Sequence, residues 1–230
     1  IPTIIQDISP DDVMYLINAI YFNGSWQHGF KTSDTQNDNF YLQDGSTKSV
    51  PFMNQKIKAN IYNGDLFSII ELPYGEGKSF SMYILEPTAH KKSIGEFASS
   101  IDVNSLTNAI TMMDSSTVEL KMPKWEYSYE VADMKPELSS MGMGIAFGKS
   151  ADFSKIYDPS QTKVYISKAI HKTYIKVNEE GTEAAAATSI GISLTSVMVP
   201  KVFKIDHPFM YAIIEKQTGA ILFLGMVNEP

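Results

Sequence analysis

The chain has 230 residues, 43% of them hydrophobic and 20% charged, with a formal net charge of −7. Such a balance belongs to a globular protein with a sizeable core, and nineteen Lys plus Arg against twenty-six Asp plus Glu, with no basic cluster, leave no electrostatic footprint for nucleic acid. Cysteine is absent, which removes disulfide scaffolds, thiolate zinc sites and cysteine nucleophiles together.

Strand signals dominate from the start. Val13 to Phe22 is apolar on both alternating faces, as in a central strand covered on each side, and the longest apolar stretch, around Ile17 to Phe22, is far too short to span a bilayer. Phe40 to Val50 reads as a hairpin turning at Asp44-Gly45. Leu66 to Leu72 and Phe80 to Leu85 form a second pair around the glycine-rich turn Tyr74 to Lys78. Two short helices follow, Lys91 to Ile101 and Ser105 to Met113, the first with Ile94, Phe97, Ala98 and Ile101 at helical spacing. Val118, Leu120, Met122, Trp125, Tyr127 and Tyr129 alternate as one long strand interrupted by Pro123. Asp133 to Met141 reads as a short helix with Pro136 in its first turn. Lys163 to Asn178 is another long strand, and Phe209 to Ile214 with Ala220 to Gly225 closes the chain as a hairpin through Lys216 to Gly219. With no repeat and no linker, the reading is one α+β domain over residues 1–230, with large mixed or antiparallel sheets and short helices.

Motifs for catalysis fail one by one. A phosphate loop needs a glycine five residues before its last one, and that position is Met143 for Gly148-Lys149-Ser150 and Leu72 for Gly77-Lys78-Ser79. Both triplets read as surface turns. No Gly-x-Ser-x-Gly elbow occurs. The histidines, His28, His90, His171 and His207, are scattered without metal-ligand spacing, so no metal and no cofactor is expected. Asn23-Gly-Ser25 matches a glycosylation acceptor, a pattern short enough to arise by chance. Nothing argues for an enzyme.

One segment does not behave like a core strand. Ala184 to Pro200 carries no charge: an alanine run, then strict alternation with Ile190, Ile192 and Leu194 on one face. Taken alone it reads either as an ordinary half-buried strand or as a long loop able to become one, and exposed β-capable sequence of this kind is an aggregation hazard. The residues before it, Val177-Asn-Glu-Glu-Gly-Thr-Glu-Ala-Ala-Ala-Ala-Thr188, closely resemble the hinge at the base of the reactive loop of inhibitory serpins. Asn18 to Trp26 is similar to the serpin third strand of sheet A and its terminal tryptophan. Met122-Pro-Lys124 and Ser167 to Lys172 resemble two further sheet strands, and Asp206 to Phe209 with Phe223 to Pro230 resemble the closing hairpin, Glu229 being a small departure.

The resemblance implies a partial serpin fold, with its N-terminal helices and first strands absent, supplied by a separate chain or not included. It implies a suicide inhibitor whose exposed loop, about residues 179–200, is cleaved by a serine protease and then inserts into sheet A while the protease is still acylated. Its hinge would be Glu179, Glu180, Gly181, Thr182, Glu183, Ala184, Ala185, Ala186, Ala187 and Thr188. Thr182, Ala184, Ala186 and Thr188 would turn inward first, small enough to enter a packed sheet. The family's loop length puts the scissile bond at Thr195-Ser196, and an uncharged side chain there suits an elastase-like or subtilisin-like protease. Asn18 and His171 match the pair beneath the region where the sheet opens, expected to hydrogen-bond to each other. Trp26, Lys124 and Glu179 would sit at its top, with a Lys124–Glu179 ion pair as latch. The family also implies an extracellular or secreted protein. The competing readings are a non-inhibitory carrier, chaperone or storage serpin, whose hinge usually carries bulky or charged residues, and an inactive truncated fragment.

Overall fold

The structure is a computed structural model and describes residues 4–5, 8–10, 12–90, 92–156, 158, 164–182 and 201–230. The strands before the helices are β1 (Tyr15–Ile20), β2 (Gly24–Ser25), β3 (Gln36–Tyr41), β4 (Thr47–Asn63), β5 (Phe67–Tyr74) and β6 (Phe80–Pro87). Helices α1 (Ile94–Ser100) and α2 (Val103–Thr111) lead to β7 (Asp114–Pro123) and β8 (Trp125–Val131). Helix α3 (Lys135–Leu138) precedes β9 (Lys168–Asn178), β10 (Gly181–Thr182), β11 (Lys201–Lys204), β12 (Phe209–Glu215) and β13 (Ile221–Val227). The chain divides into two compact units, Ile1–Phe22 with Glu126–Ile175, and Asn23–Trp125 with Lys176–Pro230.

In the first unit β1 lies parallel to β9, from Tyr15 opposite Lys168 to Ile20 opposite Thr173, and β8 also pairs with β9. The start of β1 is tied down by charge and hydroxyl contacts. Lys168 Nζ stands 2.9 Å from Asp12, and the Ser167 hydroxyl donates to the Met14 carbonyl at 3.0 Å. The strand is shorter than the apolar run suggests and is not covered on both faces: Leu16 and Ile17 are 37% and 40% exposed. Helix α3 holds Pro136 in its first turn as expected, but it is a single turn, and at Gly142 (φ +98°) the backbone leaves helical geometry.

The second unit is built on a sheet in the order β11-β7-β4-β5-β6-β12-β13, with β3 on β4. Its spine is β4, 17 residues long, which carries β3 along Thr47–Phe52, β7 across Phe52–Ile61 and β5 at its end. The hairpin expected at Asp44-Gly45 forms there, Gly45 adopting φ +83° and Asp44 accepting from the Ser46 amide and hydroxyl. The alternation assigned to one long strand belongs to two. β7 ends at Pro123 beside β4 and β11, whereas β8 pairs with β9, because proline has no N–H to extend the ladder. Helices α1 and α2 pack Ile94, Phe97 and Ala109 on Phe67, Ile69, Tyr83, Leu85, Met210, Ala212 and Ile214 from β5, β6 and β12. A capping box fixes the start of α1, Ser93 and Glu96 each accepting from the other's backbone N–H.

Candidate functional site

The site is assembled where β9 ends. Asn178 turns the chain, its side-chain oxygen accepting from the amides of Glu180 at 3.0 Å and Gly181 at 3.3 Å, the Asx geometry that this residue type favours. The chain then runs back as β10, antiparallel to both β9 and β2, with Gly181 opposite Asn178 and Ser25, and Thr182 opposite Val177 and Gly24. Gly181 has φ +143°, and a Cβ there would lie 2.2 Å from the Gly24 carbonyl oxygen. Only glycine meets both demands.

Trp26 covers this turn. It is 4% exposed, stacks on Tyr74 with ring centroids 4.6 Å apart, and donates its indole N–H to the Asn178 carbonyl at 2.9 Å. Its own amide donates to Glu180 O, and Phe30 N to Glu179 O. Thr182 is 1% exposed, and its hydroxyl is joined to the Tyr74 hydroxyl at 2.7 Å. Burial pushes the Tyr74 hydroxyl far above its ordinary pKa, so it stays protonated and able to hydrogen-bond.

The Glu179 carboxylate is buried, with Lys124 Nζ 2.9 Å from one oxygen and the Thr35 hydroxyl donating to the other at 2.8 Å. Burial, the largest influence, pushes its pKa up; Lys124, a backbone hydrogen bond and Thr35 together outweigh it and hold the group below the usual carboxylate range. Glu179 is thus anionic at neutral pH and anchors the residue from which β10 departs.

Of the residues singled out in the sequence, Trp26, Lys124, Glu179, Glu180, Gly181 and Thr182 meet here. Glu183 through Thr188, and the bond Thr195-Ser196, lie outside the described residues. Asn18 and His171 belong to the other unit, where they stand opposite each other in the β1–β9 register. No hydrogen bond joins their side chains among the described residues, and Asn18 is exposed. Sequence reasoning missed Thr35, Tyr74 and Asn178. Asn178 carried a signal, an Asx residue directly before Glu-Glu-Gly; Thr35 and Tyr74 carried none, since only the fold brings them near.

Comparison with known proteins gives this arrangement a context. A family model described as Serpin (serine protease inhibitor) matches residues 1–230. Serpin-ZXA of Oryza sativa subsp. japonica is 37% identical over 225 residues, covering 94% of this chain and 56% of its own length. A serpin-like protein of Thermococcus kodakarensis is 35% identical over 235 residues, covering 100% of this chain and 53% of its own. Among solved structures, the thermophilic serpin tengpin in its native state superposes with a TM-score of 0.88 at 31% identity, over 100% of this chain and 59% of that one. Thyroxine-binding globulin in complex with thyroxine gives 0.84 at 26% identity, over 99% and 59%. The chain spans little more than half the length of the curated relatives it matches. With mixed sheets, few short helices and a family match along its whole length, it has a partial serpin fold and belongs to the serpin family.

Proposed function

We propose that this chain provides the hinge and receiving strands of an inhibitor that traps a serine protease by inserting its cleaved loop as a new strand. The observation that carries the reading is β10, whose Thr182 already lies antiparallel to β9 and buried. It is the first step of a strand that the residues after it can continue. Further along β9, Lys168–Thr173 are paired with β1. Thr182 and the alanines that follow have the small volumes such entry needs, which favours inhibition over carrier or storage roles. The bait bond in this reading is Thr195-Ser196 and the target an elastase-like or subtilisin-like protease, because a short uncharged side chain gains little from a trypsin pocket carboxylate.

Incubation with pancreatic elastase, subtilisin and trypsin, followed by denaturing electrophoresis, tests the reading. A covalent complex with either of the first two is expected. Thr182→Arg should abolish the complex while leaving the loop cleavable, since a cation at a position 1% exposed needs burial at a cost of several kcal/mol. Cleavage without any complex in the parent protein would refute the trapping account.

A further inference from the structure

Two side chains close in sequence and a third far from them converge at one end of the β6–β12 pair in the second unit. Glu86 lies near the end of β6, His90 in the turn that follows, and His207 just before β12. Each offers a ligand atom, and these lie within 4.8 Å of one another. The pairing of β12 with β6, Met210 opposite Leu85, brings the two segments together. The imidazoles are stacked face to face, centroids 3.6 Å apart and 9° from parallel, with Tyr41 on the other side of His207 at 5.0 Å. Asp206 Oδ1 stands 2.6 Å from His207 Nδ1. A carboxylate there accepts a hydrogen bond from Nδ1–H and so favours the tautomer with its lone pair on Nε2, as a supporting carboxylate does for metal-bound histidines. The Asp206 carboxylate is itself held by Lys204 at 3.3 Å, and the Asp206 amide donates to the Glu86 carboxylate.

We propose that Glu86, His90 and His207 form a binding site for a divalent transition metal, zinc above all, with Asp206 as positioning residue. Two imidazoles and one carboxylate are a borderline donor set that suits zinc and not calcium or magnesium, which take oxygen. Three protein ligands leave a fourth position of a tetrahedron for water or an incoming group. Ligand atoms on one zinc stand about 3.3 Å apart at Zn–N lengths of about 2.0–2.1 Å, so the trio must contract. His90 is exposed and in a turn, and rotation of its ring out of the stack supplies that movement. Bound metal would fasten the turn after β6 to the entry of β12. The site was not legible in the sequence because His207 lies far along the chain and only the strand pairing brings it to Glu86 and His90.

Zinc titration of chelator-stripped protein by calorimetry, at fixed pH, should show one saturable site per chain. His90→Gln and His207→Gln should each weaken it by more than tenfold, and Asp206→Asn by about 10–100-fold, the range expected of an outer-shell partner. Cobalt(II) should give the visible absorption of a four-coordinate ion in the parent and not in His90→Gln. Zinc should raise the melting temperature of the parent alone. His90 is exposed, so its replacement tests the site without disturbing the fold. Absence of saturable zinc binding, or binding unchanged in His90→Gln, overturns the proposal.

Discussion

Gly181 shows how little freedom a single residue has here. Its φ of +143° disfavours any side chain, and the Gly24 carbonyl oxygen occupies the space that a Cβ would need. Gly181→Ala must both strain the backbone, at about 1–3 kcal/mol, and push β2 away from β10. Its urea midpoint should fall accordingly, whereas Gly75→Ala, which has a positive φ but open space around it, should cost less. Glu179 is constrained by charge instead. Its folded-state pKa lies below that of an unfolded glutamate, near 4.3, so it contributes stability above that value and loses it as pH falls through the folded-state value. Urea unfolding at pH 6 and pH 3 should show Glu179→Gln less stable than the parent at the higher pH, with the gap narrowing at the lower. Lys124→Ala should cost about 1–3 kcal/mol at pH 6, the range for leaving a buried acceptor unmatched.

Among the elements, β5 carries a second buried carboxylate that the sequence did not advertise. Glu71, 4% exposed, accepts from Lys216 at 2.7 Å, Asn60 at 2.7 Å and Ser81 at 2.8 Å, tying β5 to β4, β6 and the turn after β12. Burial pushes its pKa up, yet Lys216, Asn60 and Ser81 outweigh that and hold it below the usual range. Lys216→Met should therefore cost about 1–3 kcal/mol, measured by urea unfolding, and Glu71→Gln should also destabilise, because Asn60 and Ser81 donate to different carboxylate oxygens and an amide keeps only one. In a sequence this residue is one acid among many; only strand register reveals its partners. The hairpins were legible because Asp44-Gly45 and Gly219 mark turns by residue type, and Gly219 indeed has φ +73°. The length of β4 was not, since Pro51, Gln55 and Lys56 dilute the alternation of Ile57, Ala59 and Ile61. The apolar run in β1 shows that a strand can be covered, not what covers it, which is why Leu16 and Ile17 misled. The Glu179 anchor and its lysine were legible by resemblance, and the hydroxyls of Thr35 and Tyr74 around them were not.

At the scale of the whole molecule, the proposed function separates two tasks along the chain, a bait that selects the protease and a hinge that springs the trap. They should be separable by mutation. Thr195→Arg is expected to shift complex formation from elastase-like enzymes to trypsin, whose pocket carboxylate pairs with a cation, while leaving Thr182 and its contacts unchanged. Mass spectrometry of the released C-terminal peptide checks the bond independently: it should begin at Ser196. A start at Val197 or Met198 would move the bait residue.

The stack of Trp26 on Tyr74 has an optical consequence. The chain holds two tryptophans, and Trp125 is buried edge-on to Phe209, 5.2 Å away. Trp26 instead borders the turn into β10: its N–H is bound to Asn178, and its stacking partner is bound to Thr182. In Trp125→Phe, emission should come from Trp26 alone and change as chain follows Thr182 into the sheet, so that stopped-flow fluorescence times insertion without an attached dye. Emission that stays constant while a covalent complex accumulates would place the movement elsewhere; a change at the rate of complex formation makes this tryptophan the protein's own clock.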